Sequence, residues 1–342
     1  MLEKVKKPTV KDVAALAGVS TTTVSLVING KGESIPEMTR DRVRRAVKEL
    51  HYHSDYTARA MVTRKTNLIG VVIPDISNAF FAACVRHLQV ALSGHGYDIL
   101  LCNSEERAKN DLHYIRLLAG RNVDGLILTP SAEALTEKYE AEVKRTLSEV
   151  GLPYLFLDRY YRGDEPKVVV DNEKSSYSVA KYLIECGHTK IGAVAGPLML
   201  NSSYNRLEGL RRALGESGLT LPDEYIVEGK YDIETGVRGG EKLLDSDVTA
   251  IFAFSDVQAF GVYESAKRAG KKVPEDISIV GFDDALYSSL LDTPLTTMRQ
   301  PVKSLAEEAC RIVLALVEGK GKVENVLLPA ELIIRDSVGR IG

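Results

Sequence analysis

Over the first fifty positions the apolar residues recur with the period of a helix. Val10, Val13, Ala14 and Ala17 fall on one face. Thr9 stands in front of them with Asp12 three residues on, the arrangement of a capping box. Gly18 follows, where the chain needs a residue free of Cβ crowding to leave the helix. Ser20 is placed to cap a second helix whose Val24, Val27 and Ile28 face inward, and Asn29-Gly30-Lys31-Gly32 ends it. A third helix is predicted from Pro36 to Leu50, with Val43, Val47 and Leu50 as its apolar stripe. These three would share a core of roughly 50 residues, marginal by itself. Ser54-Asp55 offers a cap for a very short fourth helix, Tyr56 to about Val62. A helix that short is unstable alone because nucleation is costly, so it is either a plain linker or a piece that orders on binding. The second reading is preferred.

After Thr66 the pattern changes. Short apolar runs at Leu68–Ile73, Ile99–Cys102, Gly125–Thr129 and Tyr154–Asp158 alternate with helical segments near 79–95, 108–119 and 136–150. Further runs at Val168–Asp171, Ile191–Ala195, Tyr225–Glu228, Ile251–Phe254 and Ile277–Phe282 continue the alternation. Such βα units imply parallel sheets, and two doubly wound lobes fit the length better than one. The expected division is a helix-turn-helix head at 1–52, a hinge and linker at 53–65, and a two-lobed body at 66–342. The first crossing between lobes is expected near Tyr161–Gly163.

Composition narrows the function. Across 342 residues the apolar share is 44% and the charged share 27%, ordinary for a globular protein. No apolar run approaches the roughly 18 residues of a membrane span. Met1 to Pro8 is basic without an apolar stretch behind it, which excludes a secretory signal. Cys84, Cys102, Cys186 and Cys310 lie far apart with no C-x-x-C pair, so no metal site is expected and reduced thiols of a cytoplasmic protein are the better reading. Positions 1–65 hold 13 Lys and Arg against 7 Asp and Glu, and the remainder 31 against 40. A basic head on an acidic body points to a polyanion as the head's partner.

Two short helices joined at a glycine have the dimensions of a helix-turn-helix. The exposed face of the second carries Thr21, Thr22, Ser25, Leu26 and Asn29. Hydroxyls and amides bond base edges or phosphates, Leu26 suits a thymine methyl, and the helix N-terminus suits phosphate. Small helix pairs also occur in ordinary helical proteins, so the spacing alone leaves that role open.

In the body, polar residues fall where strands end: Asp75, Asn103, Ser131, Asp158-Arg159, Asn201-Ser202, Ser255-Asp256 and Asp283, with Arg206 near the start of a helix. Ligands of doubly wound sheets sit at those ends. Carboxylates, an arginine and amides bond sugar hydroxyls, while Phe80, Phe81 and Tyr231 cover apolar ring faces. Plainer roles exist for each. An Asp or Ser after a strand can simply cap the next helix, one of the two phenylalanines can be core, and Arg159 can be one half of an ion pair. His188 reads as structural. No P-loop, G-x-G-x-x-G, G-x-S-x-G or H-E-x-x-H is present, and Asp283-Asp284 would point apart on a strand. No cofactor or enzymatic activity is expected.

The ordered series Thr9-Val10-Lys11-Asp12-Val13-Ala14, Ala17-Gly18-Val19-Ser20, Thr23-Val24-Ser25, Asn29-Gly30, Leu50-His51-Tyr52, Ala58-Arg59 and Thr66 to Val71 resembles the lactose-repressor/galactose-repressor family. The body continues the match at Pro74-Asp75, Phe80-Phe81, Val123-Asp124-Gly125, Asp171-Asn172, Gly187-His188, Arg206-Leu207-Glu208-Gly209 and Gly281-Phe282-Asp283. The resemblance spans Thr9 to Arg335. It implies a homodimer whose heads occupy successive major grooves of a pseudo-palindromic double-stranded operator. Paired hinge helices would wedge Met61 into the central minor groove.

On that basis Thr9, Ser20, Thr21, Thr22, Ser25, Leu26, Asn29, Ala58, Arg59 and Met61 are the DNA-binding candidates. Phe80, Phe81, Ser131, Arg159, Ser202, Arg206, Tyr231, Asp256 and Asp283 are the effector candidates. Arg206 and Asp283 match positions that bind effector in the family, Tyr231 one often aromatic, and Asp256 the acid of an Asn-Asp pair whose Asn is here Ser255. The resemblance also implies return crossings near Leu291–Pro294 and Asn325–Pro329. The first lobe is then about 66–161 with 294–325, and the second about 163–291 with 329–340, two lobes of periplasmic-binding-protein type.

Three departures matter. Leu26 stands where an arginine or histidine is common, Ser54-Asp55 where Pro-Asn is common, and Met61 where leucine is usual. A solute-binding transport protein shares the body but would carry a secretory signal and no basic head. The effector is expected to be a small sugar or derivative, with a purine or nucleoside corepressor as the alternative. Whether it releases or tightens DNA is left open. With no apolar heptad tail after Arg335-Asp336, a dimer is expected rather than a tail-mediated tetramer.

Overall fold

The computed structural model describes residues 8–28, 30, 32–52, 65–320 and 323–341. The chain divides into two compact units, Met1–Thr66 and Asn67–Gly342. In the first, α1 (Val10–Ala17), α2 (Thr21–Ile28) and α3 (Glu37–Glu49) pack Val13, Ala14, Ala17, Val24, Val43 and Ala46 into one small core. The capping box forms as its residues require. The Thr9 hydroxyl accepts from the Asp12 N–H at 3.4 Å, and the Asp12 carboxylate accepts from the Thr9 N–H at 2.7 Å. Gly18 takes φ +63°, where a Cβ would be crowded, and turns the chain into α2. Ser20 caps that helix by accepting from the Thr23 N–H at 3.1 Å. The predicted hinge helix at 56–62, with Ala58, Arg59 and Met61, lies outside the described residues, as does Asn29.

In the second unit the strands are β1 (Leu68–Ile73), β2 (Asp98–Asn103), β3 (Gly125–Leu128), β4 (Tyr154–Leu157), β5 (Lys167–Val170), β6 (Ile191–Ala195), β7 (Ile226–Glu228), β8 (Ala250–Ala253), β9 (Ser278–Asp283), β10 (Thr296–Arg299), β11 (Val326–Leu328) and β12 (Glu331–Ile333). They form two six-stranded sheets, ordered β11-β5-β4-β3-β1-β2 and β12-β10-β9-β8-β6-β7. The pairing is parallel except for β12, which runs antiparallel to β10.

The helices are α4 (Ala79–Gly94), α5 (Ala108–Gly120), α6 (Glu137–Val150), α7 (Asn172–Glu185), α8 (Asn201–Glu216), α9 (Ile233–Leu244), α10 (Asp256–Arg268) and α11 (Val302–Val317). Alternation along each strand sends side chains to two helical layers. Ile69, Val71 and Ile73 of β1 meet α4 and α11 through Phe81, Leu88 and Ile312, while Val72 meets α5 and α6 through Leu112 and Leu147. The second sheet packs Phe252, Val280 and Phe282 against α7 and α8, and Ile251 and Ile279 against α9 and α10.

The lobe boundaries differ from those expected. Strand β5 pairs with β4, so the chain remains in the first lobe through Val170 instead of leaving at Tyr161–Gly163. Strand β10 pairs with β9, so the return comes after Arg299 and not at Leu291–Pro294. The third crossing falls at Pro329–Ala330, between Leu328 of β11, paired to β5, and Glu331 of β12, at the end of the expected Asn325–Pro329. The polar stretches around Gly163 and Pro294 look like linkers, yet each is a turn within one lobe. Strand pairing, not local polarity, sets where the chain crosses.

Helices α7 and α8 approach closely at Gly209, where a Cβ would sit 2.1 Å from the Glu173 carbonyl oxygen. Gly209→Ala is therefore expected to lower stability by about 1–3 kcal/mol through overpacking. Calorimetric melting of the full chain should show a drop of several degrees in the body's transition. An unchanged transition would mean that the helix pair slides apart without cost.

Candidate functional site

The carboxyl ends of the strands of both sheets converge on a cleft lined by Asn78, Phe80, Phe81, Asp158 and Arg159 of the first lobe. Ser202, Arg206, Tyr231, Ser255 and Asp283 line it from the second, with Gln300 on the crossing segment. The gap among them is about 20 Å³, room for little more than one water. A sugar-sized ligand therefore enters only if the lobes part or the side chains re-seat.

The first-lobe wall begins with Asn78, which caps α4 by accepting from the Phe80 N–H at 2.9 Å. That cap fixes Phe80 and Phe81 edge to face at 5.1 Å between ring centroids, both buried. After β4, Asp158 takes φ +65°, a conformation rare for a non-glycine residue. Arg159 is buried as well. It donates to Glu106 at 2.9 Å and to the Pro130 carbonyl at 3.3 Å, and its guanidinium lies 5.4 Å from the Phe81 ring centroid. It is thus both half of an ion pair and part of the cleft wall.

Across the gap, the guanidinium of Arg206 stacks 3.5 Å over the Phe282 ring. It donates to Asn172 at 2.8 Å and to the Phe254 carbonyl. Tyr231 shares a 2.7 Å hydrogen bond with Ser203. Asp283 ends β9 at φ +140° and accepts from the Gln300 amide at 2.6 Å. Burial pushes its carboxyl up to about 7, with the negative charge of Asp256 adding to the rise and Arg206 and Gln300 opposing it. Burial likewise raises the Asp158 carboxyl, against the pull of Arg159 and Arg206. Among the described residues, Asp158 Oδ1, Arg159 Nε and Gln300 Oε1 are buried in the cleft residues without a hydrogen-bond partner.

Seven of the nine effector candidates line this cleft: Phe80, Phe81, Arg159, Ser202, Arg206, Tyr231 and Asp283. Ser131 and Asp256 do not line it in this arrangement. Ser131 donates its hydroxyl to Asp111 at 2.6 Å within the first lobe. Asp256 accepts from the Ala285 N–H at 2.7 Å and from the Ser288 and Thr297 hydroxyls at 2.6 Å each. Its Oδ2 anchors the loop after β9 and its Oδ1 holds Thr297 of β10. Four further residues line the cleft. Asp158 and Ser255 are among the polar residues that the sequence puts at strand ends, Asn78 precedes the Phe80-Phe81 pair, and Gln300 becomes visible only once β10 is placed.

His188 is structural, bonded to Thr249 at 2.9 Å and the Gly339 carbonyl at 3.1 Å. Asp284 turns away from Asp283 to Arg335 at 2.5 Å and Arg299 at 2.7 Å. No group of three His, Cys, Asp or Glu among the described residues is placed to hold a metal. In the head, Thr21, Thr22, Ser25 and Leu26 are exposed on α2, while Thr9 and Ser20 serve as caps.

A helix-turn-helix head joined to a two-lobed receptor body defines a ligand-responsive DNA-binding regulator. Residues 9–55 match the family described as bacterial regulatory proteins, lacI family, and residues 180–338 match the periplasmic binding protein-like domain. The HTH-type transcriptional repressor PurR of Vibrio vulnificus is 34% identical over 338 residues, 97% of this chain and 99% of its own. The Lac repressor dimer bound to operator and the anti-inducer ONPF superposes with a TM-score of 0.87 at 26% identity, covering 98% and 100% of the two chains. The complex of the transcriptional regulator CelR with cellobiose gives a TM-score of 0.73 at 31% identity over 96% and 99%. The chain belongs to the LacI family: it is a transcriptional repressor with a DNA-binding domain and an effector-binding domain, and not an enzyme.

The Asp283 carboxyl titrates higher in the folded chain, at about 7, than the roughly 4 of an unfolded chain. Between those values the native state holds a proton that the unfolded state has released. This group's contribution to stability therefore falls as pH rises through that window and stays low above it. Asp283→Asn removes the titration. Its melting temperature relative to the parent should rise by several degrees from pH 5 to pH 8, measured by differential scanning fluorimetry. A difference flat with pH would show that the carboxyl does not titrate there.

Proposed function

We propose that the chain represses transcription as a homodimer on a pseudo-palindromic operator, and that a small sugar or sugar derivative in the cleft switches its affinity for that operator. The observation that carries the ligand class is the set of buried, unpartnered polar atoms on cleft-lining residues: two acceptors, Asp158 Oδ1 and Gln300 Oε1, and one donor, Arg159 Nε. A buried polar group left unpaired costs about 1–3 kcal/mol. A compact polyol, each hydroxyl both donor and acceptor, supplies partners for all three. The cellobiose bound in the CelR complex supports the same class.

A purine or nucleoside corepressor is the second reading, favoured by the aromatic groups Phe80, Phe81 and Tyr231, whose rings suit a planar base. Thermal-shift screening of monosaccharides, disaccharides, nucleobases and nucleosides separates the two. A ligand held only by the folded state raises the melting temperature by mass action.

On the DNA side, α2 presents Thr21, Thr22, Ser25 and Leu26 to the major groove, with Ala58, Arg59 and Met61 as further DNA contacts. Leu26 supplies an apolar contact where a guanidinium would read guanine, so an operator with thymine at the facing position is expected. Leu26→Arg should shift the preferred base at that position in a randomised-operator selection, and an unchanged preference would remove Leu26 from the reading surface.

Deleting residues 1–66 should abolish specific operator binding in a gel shift while the body keeps its melting transition and ligand response, since the two units have separate cores. In the full chain, log affinity for operator should fall linearly with log salt as phosphate contacts release counterions. Specific binding by the headless chain would refute the assignment.

A further inference from the structure

A second cavity, of about 420 Å³, opens beside the cleft between the same two lobes. Three of its lining residues are sequence neighbours of cleft residues. Tyr160 follows Arg159, Asn201 precedes Ser202 and Asn205 precedes Arg206, and in each pair one residue lines the inner cleft and the other the outer cavity. The partition between the two spaces is thus three backbone segments, two from α8 and one from the end of β4. It is crossed by an interlobe hydrogen bond, from the Tyr160 N–H to Asn201 Oδ1 at 3.2 Å. The outer walls carry Tyr204 and Met199, each about half exposed. Tyr160 is held by the Lys167 ammonium 5.0 Å from its ring centroid. Aromatic faces beside amides are the chemistry that stacks on a sugar ring and bonds its hydroxyls, and the volume lies within the roughly 300–1,000 Å³ of small-ligand sites.

We infer that the outer cavity is a subsite for a second sugar ring, so that the effector is a disaccharide or larger glycoside bridging both spaces. The inference rests on the sugar reading of the inner cleft. One ring sits among Asp158, Arg206 and Asp283, and the next stacks on Tyr204 with Asn201 and Asn205 at its edge. The glycosidic link passes where the Tyr160–Asn201 bond now crosses. Lobe parting that admits the inner ring also breaks that bond and joins the two cavities.

The test uses the full chain with matched pairs of probes, glucose against cellobiose, glucose against maltose and galactose against lactose, by isothermal titration calorimetry. In at least one pair the disaccharide should bind about tenfold or more tighter than its monosaccharide. Tyr204→Ala should erase that gain and leave the monosaccharide affinity unchanged. Its half-exposed side chain makes a folding defect separable, by comparing melting temperatures without ligand. Monosaccharide binding with no gain from a second ring overturns the subsite and leaves the sugar reading standing, as does a gain that survives Tyr204→Ala. Binding of hypoxanthine or adenosine with no saccharide binding at all overturns both.

Discussion

The buried carboxyl of Asp283 is the constraint around which the cleft is arranged. It stands at the end of β9, on a backbone conformation that side-chain-bearing residues rarely adopt. A second buried carboxylate, Asp256, is near, and that one is occupied by the loop from Ala285 to Ser288 and by Thr297 of β10. With Asp256 committed, the charge on Asp283 is opposed by burial and by Asp256 itself, and is balanced by Arg206, the Gln300 amide and the Asp256 backbone N–H. That is a poor environment for an ion, which is why the carboxyl retains its proton to about 7. Such a group is relieved in two ways: by a proton, or by a ligand hydroxyl that donates to it. Gln300 sits on the segment where the chain returns to the first lobe. A ligand that takes over its bond to Asp283 acts directly on a lobe crossing.

Much of this was legible in the sequence, because periodicity and strand-end chemistry are local. The capping box at Thr9 and Asp12, the glycine turn, and the alternation of strands and helices through the body follow from residue types a few positions apart. The two doubly wound sheets and the cleft residues Arg206, Tyr231 and Asp283 follow from the same reasoning joined to the family resemblance. The misplaced features depend on long-range pairing. Whether the stretch at Lys167–Val170 belongs to the first or second lobe is decided by its bonds to β4 and, at the far end of the chain, to β11. No local signal carries that. The same holds for Gln300, legible as a cleft residue only once β10 is known to lie beside β9.

Asp256 shows why identity at a strand end does not fix a role. It follows β8 as Asp283 ends β9 and both are acidic; Asp256 is fully buried, Asp283 half-buried with its carboxyl turned in from solvent. The difference lies in the next loop. Residues Ala285 and Ser288 curl back and place an N–H and a hydroxyl on Asp256. Thr297, one strand over, completes its shell. A carboxylate with three donors at 2.6–2.7 Å has little capacity left for a ligand. Asp283 accepts from one side chain, the Gln300 amide, and from the Asp256 backbone N–H, and it lines the cleft, so it retains capacity for a ligand hydroxyl.

The closed gap also fixes how a ligand can act. With about 20 Å³ in the inner cleft, a sugar ring does not fit there in this arrangement and enters only one in which the walls have moved. A ligand shifts an equilibrium by its differential affinity for the states involved, and here that difference is large because one state excludes it sterically. Linkage then runs in both directions: if the parted and closed bodies differ in their affinity for an operator, operator binding alters ligand affinity by the same factor. The sign follows from which body the paired heads prefer. An operator that favours the closed body makes the ligand an inducer, because the ring must open what the DNA holds shut. One that favours the parted body makes the same ring a corepressor, with no change in a single contact inside the cleft.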